Sequence, residues 1–270
     1  MKCPLLLTGI TCLFITRCTM PPENGSLLFT DGHWIDLTYS FSGETVYWPT
    51  AENFKLDTVS AGVTEGGYFY SAYSFCAAEH GGTHLDAPYH FADGKWTTDQ
   101  VPLENLTGYA IVIDVSGKTN NNPDYQISVD DLTGWEKEHG KIPEGAILIF
   151  HTGWGRFYPD AQKYLGTTEK GTAGVAQLHF PGIHPEAAQW LVKNRKIKAA
   201  GIDTPSIDFG QSKDFKTHQV LYGENICGFE NLAHLDQLPV TGAYIVALPM
   251  KIKGGSGAPL RIIAWLKEEG

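Results

Sequence analysis

The sequence predicts an α/β fold built around a mixed β-sheet, in a single domain. Three observations support this prediction. Short apolar runs rich in β-branched residues recur along the chain, two capped helical segments lie between them, and no linker or internal repeat divides the sequence. With 270 residues, 42% of them hydrophobic, and no low-complexity tract, the chain is long and apolar enough to bury a full core.

The predicted strands are the apolar runs at residues 109–115, 146–151, 197–202, 243–248 and 260–266. Their length and turn-rich flanks favour strands over helices. Near-continuous apolar runs of this kind are typical of strands that are buried on both faces, so we expect several of these strands to be central in the sheet.

Two helices are predicted between the strands. Ser128 is placed to cap a helix that begins at Val129, with Asp131 in the capping-box position and Gly140 as its stop. Pro185 suits the first turn of a second helix. Strands that alternate with helices indicate the α/β class.

The formal net charge is −10, from 30 acidic against 20 basic residues, and the basic residues are scattered along the chain. Nucleic acids and anionic membrane surfaces bind clustered positive charge. We therefore expect neither nucleic acid nor a membrane as a partner.

Residues 1–20 are predicted to be a secretory signal peptide, because Lys2 precedes a short apolar run and a polar end before Pro21. The run is too short to span a bilayer, and the alternative is a buried N-terminal helix or strand. We expect residues 21–270 to form the mature domain, either secreted or in the lumen of the secretory pathway. The sequons at Asn24 and Asn105 are compatible with glycosylation there.

A cluster of metal-binding side chains occupies one segment, His80-Gly-Gly-Thr-His84-Leu-Asp86-Ala-Pro-Tyr-His90. Its glycines and Pro88 oppose a helix, so we expect an extended or looped segment. Alternate residues of an extended chain share a face, which would bring His84, Asp86 and His90 to one side, and a turn at the glycines would let His80 join them. Imidazoles with a carboxylate suit zinc, manganese or iron; the alternative is a set of separately hydrogen-bonded loop histidines.

This segment resembles the His-x-Gly-Thr-His-x-Asp-x-Pro-x-His motif of the cyclase-like metal-dependent hydrolases, the family that includes bacterial kynurenine formamidases and isatin hydrolases. Residues 201–208, His218, residues 230–239 and residues 257–261 are similar to further regions of that family. The resemblance implies the family's swivelling β/α fold, a single domain with a mixed β-sheet or barrel-like β core flanked by helices. We also expect a homo-oligomer, either a dimer or a tetramer.

The resemblance also implies roles for individual residues. The implied metal ligands are His80, His84, Asp86, His218 and Glu230. Asp86 would reach both of two ions, and Glu230 would be shared between them. His90 would be the catalytic acid/base, and Trp48 would line the substrate pocket. The cofactor is then a divalent ion, zinc or alternatively manganese, with one or two ions per subunit.

The implied reaction is attack of a metal-activated water on an amide of a small aromatic substrate, as in an arylformamidase acting on N-formylkynurenine. The alternatives are hydrolysis of a cyclic amide such as isatin, another cyclase or dehydratase reaction, and a secreted protein that binds metal without catalysis. All the implied metal and acid/base residues are present and no G-x-S-x-G serine motif occurs, so we favour the metal enzyme.

Two cysteines, Cys76 and Cys227, lie beyond the predicted signal peptide. They stand four residues before His80 and three before Glu230. Convergence of both segments on one metal would bring the two sulfurs close enough for a disulfide. The alternative is two buried free thiols.

Overall fold

This computed structural model describes residues 29–268, in which α-helices lie between the strands only in the middle of the chain. The strands are β1 (Gly32–Asp36), β2 (Lys55–Val63), β3 (Phe69–Cys76), β4 (His84–Asp86), β5 (Thr107–Asp114), β6 (Gln126–Ile127), β7 (Ile147–His151), β8 (Gly182–Ile183), β9 (Ala199–Ile202), β10 (Cys227–Glu230), β11 (Thr241–Pro249) and β12 (Gly257–Lys267). The helices are α1 (Ser116–Thr119), α2 (Val129–His139), α3 (Ala161–Tyr164), α4 (Gly171–Val175), α5 (Pro185–Asn194) and α6 (Lys216–Tyr222).

The main sheet closes into a barrel of seven strands. Its order is β12-β11-β5-β7-β9-β10-β4, and β4 pairs again with β12. The four strands β5, β7, β9 and β10 run parallel to their neighbours in that group, whereas β4, β11 and β12 pair antiparallel. The barrel form of the predicted mixed β core is therefore confirmed, and β1 pairs antiparallel with residues 263–267 of β12, beyond the stretch Gly257–Pro259 that pairs with β4.

Apolar strands form the barrel and helices cover it, as the sequence pattern predicts. All five predicted strands are present, as β5, β7, β9, β11 and β12. The parallel strands β7 and β9 are buried along almost their whole length, because the barrel interior covers one face and helices cover the other.

Both predicted helices form with the expected ends. The Ser128 hydroxyl accepts from the backbone N–H of Asp131, the Asp131 carboxylate accepts from the backbone N–H of Ser128 at 2.6 Å, and Gly140 ends α2. The indole N–H of Trp135 donates to Val112 O at 3.0 Å and ties α2 to β5.

Two of the sequence-based predictions concern residues outside the described range. The signal peptide at residues 1–20 and the sequon at Asn24 lie there and stay predictions. Asn105 ends a 3-10 turn, Leu103–Asn105, and is partly exposed. From Asp31 onward the chain forms one compact unit. Within residues 29–268 no helix is long and apolar enough to cross a membrane.

The barrel places the motif strand between two antiparallel partners. In β4, His84 lies opposite Glu230 of β10 on one side and opposite Pro259 of β12 on the other. Strand register alone therefore puts a motif histidine beside a carboxylate that is remote in the sequence.

Candidate metal centre

Two adjacent glycines, Gly81 and Gly82, let the chain turn and pack closely against neighbouring side chains just before β4. Gly82 has φ +57°, a left-handed conformation that side chains with a Cβ rarely adopt. A Cβ on Gly81 would lie 2.0 Å from the Tyr47 ring, so only glycine permits that ring to pack there. The turn made by this pair brings His80 back toward the side chains of β4, as the sequence predicted.

The five implied metal ligands lie in two clusters that share one carboxylate. The first cluster is His80, His84 and Asp86, and the second is Asp86, His218 and Glu230. Within each cluster the donor atoms lie within 4.8 Å of one another. Asp86 belongs to both clusters, which is the arrangement that a carboxylate bridging two cations requires.

The ring of His84 shows that a cation fits this position. His84 Nδ1 donates to Gly82 O at 2.9 Å, which leaves Nε2 as an unprotonated nitrogen. Nε2 is buried and has no hydrogen-bond partner among residues 29–268, yet it lies 3.1 Å from Asp86 Oδ1 and 3.4 Å from Glu230 Oε2. A lone pair facing two carboxylates is unfavourable until a cation lies between them.

His218, the second-cluster histidine, is oriented by Asp208. His218 Nδ1 donates to Asp208 Oδ2 at 2.5 Å, and His218 Nε2 points to Asp86 Oδ2 at 3.4 Å and to Glu230 Oε1 at 3.3 Å. A carboxylate behind an imidazole fixes its tautomer and raises the basicity of the nitrogen that binds metal. Asp208 also accepts from the backbone N–H groups of Thr217 and His218, so the same carboxylate sets the start of α6.

The electrostatics of the buried groups indicate an excess of negative charge. Burial and the neighbouring Asp86 carboxylate raise the pKa of Glu230 above its usual range. Burial opposes charge on His218 as well, but hydrogen bonds to Asp208, Asp86 and Glu230 outweigh it and raise the pKa of His218 well above its ordinary value. A divalent cation would neutralise this site, and the imidazole and carboxylate donors suit zinc or manganese.

His80 is held from behind by a serine and a glutamate. His80 Nδ1 lies 2.7 Å from Asp86 Oδ1, and His80 Nε2 lies 2.9 Å from Ser256 Oγ. The Ser256 hydroxyl donates to Glu79 Oε2 at 2.7 Å, so it accepts from His80 Nε2–H. This tautomer leaves His80 Nδ1 available to a metal ion beside Asp86.

His90 lies against the cluster, on a turn that follows β4. It ends a 3-10 turn, Pro88–His90, so within the expected extended or looped segment only His84–Asp86 is a strand, and the chain turns after it. Proline at the first position of that turn ends the strand. The His90 ring stacks on His80 with centroids 3.8 Å apart and lines the cavity above the ligands.

The cavity beside the ligands has a volume of about 320 Å³ and an aromatic wall. Trp48, Phe91 and Phe215 form this wall, with ring centroids 6.2 Å apart for Trp48 and Phe215 and 5.4 Å apart for Phe91 and Phe215. Tyr47 also lines it, and its buried hydroxyl has no hydrogen-bond partner among residues 29–268. The cavity therefore offers flat apolar surface beside the metal ligands.

Comparison with known proteins places the chain in a family. The sequence pattern of the family described as "Putative cyclase" matches residues 35–209, more than half of the chain. The chain belongs to the cyclase family. The resemblance inferred from the motif is thus confirmed.

Proteins similar to this chain include enzymes that are named for their reactions. An isatin hydrolase from Roseibium aggregatum is 34% identical over 206 residues, which cover 73% of this chain and 76% of that protein. A kynurenine formamidase from Salinibacter ruber is 28% identical over 230 residues, 85% of this chain and 95% of that protein. A solved structure of isatin hydrolase A from Labrenzia aggregata bound to benzyl benzoate has a TM-score of 0.79 at 33% identity, covering 88% of this chain and 95% of that one.

All the site residues that the sequence singled out in this cyclase-family chain lie around one cavity. They are Trp48, His80, His84, Asp86, His90, His218 and Glu230. Sequence reasoning gave no role to the groups behind them, Asp208, Ser256 and Glu79, or to Tyr47. Their contacts form only in the closed barrel. For Tyr47 alone the sequence offered a signal, its position beside Trp48.

Of the two possibilities that the sequence left open for Cys76 and Cys227, a disulfide and two buried free thiols, the structure shows free thiols. Both cysteines are free; Cys76 is exposed and Cys227 is buried, so the alternative of two buried thiols holds for Cys227 alone. Cys76 ends β3 opposite Lys55, whereas Cys227 begins β10 opposite Ala199.

Proposed function

We propose that this cyclase-family protein is a metal-dependent hydrolase that cleaves the C–N bond of an amide in a small aromatic substrate. One observation carries the proposal: His84 Nε2 and His218 Nε2 both face the same two carboxylates, Asp86 and Glu230, at 3.1 to 3.4 Å. A divalent cation bound there would supply a water of lowered pKa and would polarise the scissile carbonyl.

His90 supplies proton transfer in this proposal. Burial lowers the pKa of His90 to about 4, with the Asp86 charge opposing and the neighbouring imidazoles adding to the effect, so the ring is neutral near pH 7. Its side chain hydrogen-bonds to no group within residues 29–268 and borders the cavity, which leaves it able to accept the proton of the attacking water. The ring then returns that proton to the leaving nitrogen.

The aromatic wall orients the substrate. Trp48 and Phe215 can stack on a flat ring, and aromatic pairs favour centroid separations of about 4.5–7 Å. The cavity of about 320 Å³ is small for a ligand site, where volumes of roughly 300–1,000 Å³ are usual. The space suits a compact mono- or bicyclic amide.

A cyclic amide of the isatin type is the substrate that we place first. The isatin hydrolase of Roseibium aggregatum is 34% identical to this chain, and the isatin hydrolase A structure superposes with a TM-score of 0.79. An N-formyl arylamine, which the sequence alone favoured, is the second candidate, supported by the match to 95% of a kynurenine formamidase.

The test is turnover of the purified, metal-loaded protein with isatin and with N-formylkynurenine, each followed by chromatography of the product. We expect ring opening of isatin to be the faster reaction. A matched His90→Ala protein with the same metal content controls for reaction catalysed by free metal. Absence of turnover of both compounds by fully loaded protein would contradict the proposed amide hydrolase.

A further inference from the structure

The Asp86 carboxylate, which belongs to both clusters of the metal centre, has a hydroxyl donor that the proposed reaction does not use. Tyr222 donates its hydroxyl proton to Asp86 Oδ2 at 2.9 Å. The phenol is the donor because an ionised carboxylate can only accept. Both side chains are buried, and a hydrogen bond in a buried environment is stronger than the same bond in water.

The barrel leaves room for this contact by placing a glycine beside it. Gly228 of β10 lies opposite Asp86 of β4. A Cβ on Gly228 would lie 2.2 Å from the Tyr222 hydroxyl oxygen and 3.4 Å from Asp86 Cβ. A larger residue at this register position would push the hydroxyl away from the carboxylate. The strand pairing and the choice of glycine therefore both favour the hydrogen bond.

Helix α6 carries the phenol and a metal-binding imidazole on one face. His218 and Tyr222 are four residues apart, a spacing that places two side chains one above the other on a helix. Their ring centroids lie 5.1 Å apart with the planes at 81°. His218 Nε2 lies 3.4 Å from Asp86 Oδ2, the oxygen that also accepts from Tyr222. One helix thus brings two groups to the same carboxylate oxygen.

The two oxygens of Asp86 consequently have different neighbours. Oδ1 lies 2.7 Å from His80 Nδ1 and 3.1 Å from His84 Nε2, so it faces the first cluster. Oδ2 lies beside His218 and faces the second cluster. The phenol proton occupies one lone pair of Oδ2 and leaves Oδ1 untouched. The two positions that share this carboxylate are therefore chemically unequal.

A hydrogen bond to a carboxylate oxygen reduces the affinity of that oxygen for a cation. Donation to the ionised form stabilises its charge and makes it a weaker base. A metal ion draws on the same lone pairs as a proton does. We expect the effect to be about 10-fold in affinity, which corresponds to roughly half of the free energy of a hydrogen bond to a charged group. Asp208 acts in the opposite sense, because it accepts from His218 and makes that ligand more basic.

We propose that Tyr222 is a positioning residue that acts through Asp86 to make the second cluster a weaker cation site than it would otherwise be. The first cluster, which uses Oδ1, keeps its full affinity. The inference rests on the proposed metal-dependent hydrolase, because it requires a divalent ion in each cluster. It predicts that the protein holds one ion firmly and exchanges the other more readily.

The test is a titration of Zn²⁺ into metal-free protein against a chromophoric chelator, which resolves two dissociation constants. His218→Ala removes a ligand of the second cluster alone, so its remaining constant identifies the first cluster. Tyr222→Phe removes the hydroxyl and keeps the ring. We expect it to lower the dissociation constant of the second cluster about 10-fold and to change that of the first less than about twofold.

Tyr125→Phe is the matched control, because it removes a phenol that donates to a different carboxylate, Asp131, at 2.8 Å. We expect both of its zinc constants to equal those of wild type. A second-cluster constant in Tyr222→Phe that is unchanged within twofold, or higher, would overturn the inference. So would binding of a single ion by wild type and Tyr222→Phe alike.

Thermal unfolding provides a second measurement, which a purely structural role of Tyr222 would not reproduce. Metal-free Tyr222→Phe is expected to unfold at a lower temperature than wild type, because Asp86 Oδ2 loses its donor. Saturating Zn²⁺ should then raise its melting temperature more than that of wild type, and an equal or smaller rise would contradict the inference. Zinc binding and amide turnover by wild type, with unchanged constants in Tyr222→Phe, would overturn this inference and leave the proposed hydrolase standing. A wild type that binds no zinc would overturn both.

Discussion

Replacement of Asp208 by asparagine is expected to weaken metal binding while leaving the barrel folded. Asp208 Oδ2 accepts from His218 Nδ1 at 2.5 Å and from the His218 backbone N–H at 3.1 Å, and Asp208 Oδ1 accepts from the Thr217 backbone N–H at 3.1 Å. An amide has one oxygen and one NH₂ group. Either orientation of the asparagine sets an N–H donor against another donor.

The size of the effect follows from the hydrogen bond that is lost. A bond to a charged group contributes about 1.5–3 kcal/mol, which corresponds to roughly 10- to 150-fold in affinity. Measured losses for groups behind metal ligands are about 10- to 100-fold. We therefore expect Asp208→Asn to bind the divalent ion about 10- to 100-fold more weakly than wild type.

Competition against a chromophoric chelator measures this affinity. Ser212→Ala is the matched control, because it removes the hydroxyl 3.3 Å from Asp208 Oδ1 and keeps the carboxylate. Thermal unfolding of the metal-free proteins measures the helix-capping role of Asp208 separately from its role at the metal. Loss of the cap is expected to lower the free energy of unfolding by about 1 kcal/mol. A metal affinity for Asp208→Asn within twofold of wild type would refute the reasoning.

Three further predictions address the remaining groups of the site. His84→Ala is expected to lose metal and activity together, and full occupancy by metal analysis after gel filtration would remove His84 from the ligand set. His90→Ala is expected to keep its metal and to lose about 10²- to 10⁴-fold in kcat; unchanged turnover would exclude it as acid/base. Tyr47→Phe removes a buried, unpaired hydroxyl, so the melting temperature is expected to stay equal or rise and KM for the aromatic amide is expected to stay within about twofold. A lower melting temperature for Tyr47→Phe would show that the hydroxyl has a stabilising partner.

Local sequence signals predicted those parts of the fold that depend on near neighbours. The cap of α2 at Ser128 needs only residues three apart, and the buried parallel strands show their character in unbroken apolar runs. The β2–β3 hairpin was missed because neither strand contains the unbroken apolar run by which the other strands were identified. β4 was too short, at three residues, for any periodicity to identify it as a strand.

The candidate site also has residues that local sequence signals identified and residues that only the fold brings together. The eleven-residue motif could be recognised because its histidines and Asp86 are close together in the sequence. Glu230 and His218 carry no such signal, and only the resemblance to a family selected them. The register of β10 against β4 and the cap of α6 at Asp208 place them, and both are properties of the closed barrel.

Closure of the barrel by its final strand has a consequence for biosynthesis. The strand β4 that holds His84 and Asp86 is completed along one edge by Gly257 to Pro259 of β12. A ribosome delivers the chain from its N-terminus, so the motif emerges long before the strand that pairs with it. Until β12 emerges, one edge of β4 has no partner and its donors are held loosely. A metal centre with both edges of β4 paired is then expected only after residues 257–259 have emerged, and a ribosome stalled before residue 257 would carry a nascent chain without a stable metal centre.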